Sequence, residues 1–194
     1  ELGSPYYGKL LHDNRTYKCR LERYVGNYDS KLRLYKLHGS KDYYLYSRIE
    51  GNIFIPETYI KRKWGIGSSD FYKEIKDKDG NFVYENCWVN YHSDFLTGTT
   101  SKIIRYGEPL LYQKLFKLFE DNLEQADILI IIGYGCKDSK VNKIIMEKFG
   151  KDKPCFIVDP YAGDTVKDFI EEMGDNTKLI SKPLNLLQMA DFNR

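Results

Sequence analysis

Cysteine is scarce. The 194 residues hold four, Cys19, Cys87, Cys136 and Cys155, and no two lie closer than 19 positions apart. A C-x2-C pair is therefore missing, and with it the framework of a structural zinc ribbon, so no metal site is expected. Three of the four fall in or beside apolar or strand-like runs. They read as reduced core cysteines, which fits a cytoplasmic protein. Long apolar runs are also absent. The longest, Ile128 to Ile132, is far short of the roughly 20 residues a bilayer span needs. No charged segment followed by a long apolar stretch opens the chain, so a secretory leader is not expected in this stretch. The first residue is Glu1 rather than Met, and an upstream segment of the same polypeptide is expected. An excess of one charge is lacking too: 30 basic and 28 acidic residues leave a net charge of +2. Without a large single-sign field, charge alone does not favour a nucleic-acid partner. No low-complexity tract or internal repeat interrupts the chain.

What is present is the material of a folded domain. Apolar residues make up 42%, with 10 Phe and 17 Tyr, and the length allows one sizeable core. The low mean hydropathy of -0.56 follows from the 30% of charged residues that cover the surface.

The patterning suggests three stretches. Residues 1–40 read as an irregular lead-in, rich in turn residues (Gly3, Ser4, Pro5, Gly8), followed by a β-hairpin that ends at a His-Gly pair. The hairpin is expected to pair Tyr17–Val25 with Leu32–Leu37 around a Gly-Asn-Tyr-Asp turn. Residues 41–106 read as an inserted lobe. It has short strands at Tyr43–Tyr46 and Asn52–Ile55, a charged stretch Lys73–Gly80 ending in an Asp-Gly turn, and a strand at Phe82–Tyr91. Residues 107–194 read as a Rossmann-like βαβαβ half. A helix runs from Pro109 to about Gln125, with Leu111, Leu115, Leu118, Phe119 and Leu123 on one face. Strand Ile128–Ile132 follows, then a helix capped by Asp138 or Ser139 and reaching Phe149, with Val141, Ile144, Ile145 and Phe149 as its buried stripe. Strand Cys155–Val158, helix Thr165–Met173 stopped by Gly174, and strand Lys178–Ile180 complete it. Strands alternating with helices predict an α/β fold, a partial Rossmann-like parallel sheet with a β-rich hairpin and inserted lobe.

Three places can carry chemistry. The turn Gly133-Tyr134-Gly135-Cys136-Lys137-Asp138 joins a strand to a helix, and its glycines let backbone N–H groups approach a ligand. Asp138 stands where the third glycine of a dinucleotide fingerprint belongs, so the turn suits ribose hydroxyls better than phosphate. It also reads as a tight turn with Asp138 as a helix N-cap. Asp159 follows the next strand, where an acid commonly holds a ribose diol, although a solvated strand-end Asp before Pro160 fits the same pattern. His38, in Lys36-Leu37-His38-Gly39-Ser40, is placed at a strand's end for general-base work near neutral pH, or is a hydrogen-bonded loop histidine. His12 and His92 read as surface residues. Lys61-Arg62-Lys63-Trp64 reads as a solvated basic loop, with a grip on phosphates or nucleic acid as the alternative.

In this order the pieces resemble the Sir2-like (sirtuin-like) family. Lys36 to Ser40 is similar to its K-L-H-G-S segment, Gln125 to Tyr134 to its A-D-x-hydrophobic-G-Y strand, and Asp138 to Asn142 to its D-x-x-[IV]-N signature. Leu96-Thr97-Gly98-Thr99 with Lys102 is similar to a P-G-T-x-x-K-like segment. The resemblance covers roughly residues 30–165. It implies NAD as the ligand, His38 as the catalytic histidine, and Gly39, Gly133, Tyr134, Gly135, Asp138, Asn142 and Asp159 on the cofactor. Its departures are specific. No Gly-Ala-Gly-x-Ser phosphate loop is present, Gly135 replaces a Ser or Thr, and the zinc-binding cysteine pairs of the deacetylating members are missing. Asn27-Tyr28-Asp29 imitates another family segment but lies too near His38 to match it. The resemblance therefore implies the zinc-less prokaryotic branch, where NAD hydrolysis in anti-phage defence is a known role. The chain would be the C-terminal portion of an NAD glycohydrolase, inactive by itself. A non-catalytic nucleotide-sensing or protein-interaction module is the alternative.

Overall fold

The computed structural model describes the backbone of residues 2–12, 15–24, 31–61, 72–76, 78–90, 92–96 and 105–193. Side chains are described at 31–47, 49–56, 59, 78–81, 90, 92–96 and 105–193. Two compact units emerge, Glu1–Phe116 and Lys117–Arg194, and the division falls inside a helix. The fold is α/β, with an antiparallel sheet in the first unit and a parallel, partly Rossmann-like sheet in the second.

The first unit holds β1 (Leu2–His12), β2 (Arg15–Tyr24), β3 (Tyr43–Glu50), β4 (Ile53–Lys61), β5 (Tyr72–Lys76) and β6 (Phe82–Val89), in the order β1-β2-β4-β3-β6-β5. Here the sequence reading needs three corrections. Residues 2–12 are not an irregular lead-in, because β1 pairs antiparallel with β2 from Leu2↔Tyr24 to His12↔Arg15. The register slips between Gly3 and Pro5, which is how a proline is accommodated on an edge strand. Strand β2 therefore finds its hairpin partner upstream. Residues 31–37 form no strand, and Leu32 and Leu34 are exposed. The expected turn at 26–29 lies outside the described residues. Finally, the charged stretch after Lys73 is partly strand, since β5 pairs with β6 from Tyr72↔Asn86 to Lys76↔Phe82. Cross-strand pairing overrides the low strand propensity of Lys and Glu there.

Strands β3 and β4 outrun their sequence estimates and pair along their length around the Gly51 turn. The core of this unit is unusually rich in tyrosine: Tyr43, Tyr44, Tyr46, Tyr59, Tyr106 and Tyr112 are buried with Leu96, Leu111, Leu115 and Phe116. Each buried hydroxyl needs a polar partner, and that requirement shapes the site below.

Helix α1 (Tyr112–Gln125) runs from the first unit into the second. Glu108 starts it, accepting from the backbone N–H groups of Leu110 and Leu111 at 2.6 and 3.0 Å. The second unit continues with β7 (Leu129–Ile132), α2 (Ser139–Lys148), β8 (Cys155–Val158), α3 (Asp164–Met173) and β9 (Thr177–Ile180). Strands β7, β8 and β9 are parallel and in sequence order, as the alternating pattern predicts. The expected stripe of α2 is buried, and Gly174, with φ at +87°, ends α3. Strand β8 is buried on both faces. Strand β7, in contrast, is the sheet's edge among the described residues and exposes Ile130 and Ile132, with Ile128 just before it. Among the described residues no helix is long and apolar enough to cross a membrane.

Candidate functional site

In the second unit the ladder runs one residue beyond each strand. Gly133 N–H donates to the Val158 carbonyl at 3.1 Å, and Asp159 N–H donates to the Ile180 carbonyl at 3.2 Å. Gly133 and Asp159 therefore stand at the carboxyl ends of adjacent parallel strands, the edge at which open α/β sheets take ligands. Gly133 has φ at +62°, a conformation that favours glycine, and open space around its Cα.

The turn that follows is closed by side chains. Tyr134 donates its hydroxyl to Asn142 Oδ1 at 2.8 Å and lies 3.1 Å from the Asp138 carbonyl. Asn142 Nδ2 donates to the Cys136 carbonyl at 2.7 Å. That bond holds Cys136 in the left-handed region, at φ 51°, a position that costs a non-glycine residue about 1 kcal/mol. Asp138 caps α2, its Oδ1 accepting from Lys140 and Val141 N–H at 3.2 Å each. The carboxylate thus occupies the helix N-terminus, where a phosphate would otherwise sit. Thr165 Oγ donates to the Gly135 carbonyl at 3.0 Å and ties α3 to the same turn. A Cβ on Gly135 would meet nothing closer than 4.0 Å, so packing does not demand glycine there.

Asp159 accepts from Tyr161 N–H on Oδ1 at 2.8 Å. Its charge reaches the turn. The buried Cys136 thiol is pushed up to about 11, by burial first and by Asp159 second. Burial, and then the Asp138 charge, pushes the Tyr134 hydroxyl well above its usual range. Cys136 and Cys155 are free and buried, as read from the sequence. Of the residues singled out in advance, Gly133, Tyr134, Gly135, Asp138, Asn142 and Asp159 are gathered at one edge. Asn142, however, works as a clamp within the turn, with both ends of its amide engaged. Replacing Asn142 by Ala is expected to lower the stability of the second unit by about 1–3 kcal/mol, since Tyr134 and the Cys136 carbonyl lose their partner. Urea denaturation followed by circular dichroism measures this.

His38 and Gly39 belong to the first unit. His38 does not follow a strand, which corrects the sequence reading. It is the third residue of a β-turn closed by Gly39 N–H to the Lys36 carbonyl at 2.8 Å. Next comes a turn closed by Tyr43 N–H to the Ser40 carbonyl at 2.9 Å, which leads into β3. Two turns do what the expected strand end was to do, presenting the histidine at a bend. Lys36 Nζ braces them, donating to Ser40 Oγ at 2.8 Å and to Asp42 Oδ1 at 3.3 Å, over the Tyr43 ring. Burial works against the Asp42 charge, but bonds from Ser40 and Lys36 outweigh it and hold the carboxyl below its usual range. The His38 ring is half-buried and stacks on Tyr106, centroids 6.3 Å apart.

Residues 92–96 lie against this bend. Leu96 N–H donates to the His38 carbonyl at 2.7 Å, Asp94 N–H to the Tyr43 carbonyl at 2.7 Å, and Ser40 N–H to the Asp94 carbonyl at 3.4 Å. The Asp94 carboxylate collects three side chains. Tyr59 and Arg105 donate to Oδ2, and Tyr112 donates to Oδ1 at 3.3 Å. Burial tends to raise Asp94, but the bonds from Arg105 and Tyr59 outweigh it and hold the carboxyl below the usual carboxylate range. The hydroxyls of Tyr59 and Tyr112 are pushed far up, by burial first and then by Asp94. A cavity of about 690 Å³ opens beside the cluster, lined by Leu45, Pro56, Tyr59, Asp94, Arg105 and Leu110 among others. His92, read as a surface residue, is exposed at its rim.

Asp94, Arg105, Tyr59 and Tyr112 escaped the sequence reading because no motif marks them. The one available signal was the wealth of tyrosine, since buried hydroxyls imply a shared acceptor. Residues 62–64 and 97–104, which include the basic tract and the T-G-T segment, lie outside the described residues. Comparison with protein-family models, with curated proteins and with solved structures finds no match to this chain.

Proposed function

We propose that this chain is the C-terminal portion of a Sir2-like NAD-binding domain whose parent is an NAD glycohydrolase. The observation that carries the reading is the carboxyl edge of the parallel sheet, where an open Gly133 and a half-engaged Asp159 flank a clamped turn. Two features favour the ribose and adenine side of NAD over its phosphates. Asp138 fills the helix N-terminus, and Asp159 offers a carboxylate oxygen to a diol. In the chemical step, water and NAD yield ADP-ribose, nicotinamide and a proton. His38 would take that proton from water or from a ribose hydroxyl as the glycosidic bond breaks. The transition state has oxocarbenium character, so a rigidly held histidine is worth more than a mobile one.

An upstream segment of the same polypeptide would supply the phosphate contacts. The uncovered apolar face of β7 supports that partner. In a parallel sheet strands are usually covered on both faces, yet Ile128, Ile130 and Ile132 are exposed. We place the protein in the cytoplasm on its free, buried cysteines, and we assign a role in prokaryotic defence from the family resemblance.

Calorimetry with NAD and with ADP-ribose, on the chain extended upstream, tests the reading. Asp159→Ala is expected to weaken binding roughly tenfold to a hundredfold, the worth of a bond to a charged group. His38→Ala is expected to bind NAD as before while nicotinamide release stops. Binding without turnover in the unaltered protein would turn the reading to a nucleotide sensor. No binding of either ligand would falsify it.

A further inference from the structure

We propose that Asp94 is the positioning residue for His38, each of its carboxylate oxygens reaching the His38–Gly39 pair through a different tyrosine. The proposal rests on the reading of His38 as the proton acceptor. Oδ2 binds Arg105, whose chain neighbour Tyr106 is the ring on which His38 stacks. Tyr106 is packed in turn edge-on against Phe116, centroids 4.6 Å apart, so it follows its backbone rather than swinging freely. Oδ1 binds the Tyr112 hydroxyl, which lies 2.6 Å from the place a Cβ on Gly39 would occupy. The Asp94 carbonyl lies 2.5 Å from that same place and accepts from Ser40 N–H. Gly39 is thus wedged between the backbone of Asp94 and a hydroxyl that the Asp94 side chain holds. Asp94 acts on the His38 ring through these neighbours, as a positioning residue. It sets the ring's stacking partner with one oxygen and the bend beneath the ring with the other.

The two arms separate experimentally. Carbon-detected spectra of the histidine rings, together with backbone amide spectra, read them on the chain as it stands. In Asp94→Asn both arms loosen. The His38 ring signal is expected to lose the ring-current shift that Tyr106 imposes, and the Gly39 amide to move, while amides of residues 117–194 stay in place. In Tyr112→Phe only the second arm is cut, so the Gly39 amide moves and the His38 ring signal keeps its shift. A purely structural role would lower the melting temperature of Asp94→Asn and leave the His38 ring signal where it was, which overturns the proposal. Should Asp94→Asn fail to fold, Tyr112→Phe decides, and an unmoved Gly39 amide overturns it. None of these signals needs NAD. A protein that binds no NAD but shows this pattern sinks the NAD reading alone, and one that turns over NAD without the pattern sinks this proposal alone.

Discussion

Gly39→Ala is expected to destabilise the first unit by about 2–4 kcal/mol, the sum of a left-handed backbone penalty and an overpacking penalty. Gly39 has φ at +80°, where an L side chain is strained. The added Cβ would also fall 2.5 Å from the Asp94 carbonyl and 2.6 Å from the Tyr112 hydroxyl. Neither can retreat cheaply, because the first is backbone and the second is bonded to Asp94. Gly51 provides the control. Its φ is +59° but nothing lies within 4 Å, so Gly51→Ala meets the backbone penalty alone, about 1–2 kcal/mol. Denaturant midpoints for the two variants separate the terms. Equal losses would mean that the Gly39 site relaxes around the methyl group.

Asp94→Ala is expected to cost about 3 kcal/mol, chiefly by removing the carboxylate to which two buried hydroxyls donate. Tyr59 is 2% exposed and Tyr112 is fully buried, so neither regains water when the carboxylate goes. Arg105 adds less, since its side chain is 38% exposed and its charge is already screened by solvent. The same carboxylate makes the protein acid-sensitive in a defined direction. In the folded protein its value lies below the ordinary 3.8. The stabilisation is therefore complete above about pH 4 and is lost as the pH falls through the lower folded value. Asp94→Asn should abolish that component, so stability measured between pH 5 and 2, as a working range of about three units, falls less steeply in the variant than in the unaltered protein. Parallel curves would show that Asp94 does not titrate with folding.

The second unit was legible in the sequence almost element by element. Its helices carry apolar residues at spacings of three and four, its strands are short apolar runs, and Asp138 and Gly174 punctuate them, all of them local signals that survive into the fold. The glycine turn at the sheet's carboxyl edge was legible for the same reason, because a strand-turn-helix is a local object. The first unit was not. Whether residues 2–12 form a strand depends on β2 lying beside them, and the glycines and Pro5 argue against a strand until that pairing exists. Leu32–Leu37 alternates like a strand, yet forms none and leaves Leu32 and Leu34 exposed.

The composition and spacing of this chain by themselves determined an α/β protein with a parallel sheet, Cys136 and Cys155 free in the core, and a glycine turn ahead of a capped helix. Only the tertiary structure decided that Asn142 closes that turn and that His38 rides on two successive bends. It alone brought Tyr59, Asp94, Arg105 and Tyr112 together. Those four are spread over 54 positions of the chain, and a hydrogen-bonded cluster assembled from so many elements leaves no periodic trace. Its members meet because buried hydroxyls must find an acceptor, and that requirement acts between elements that are already packed.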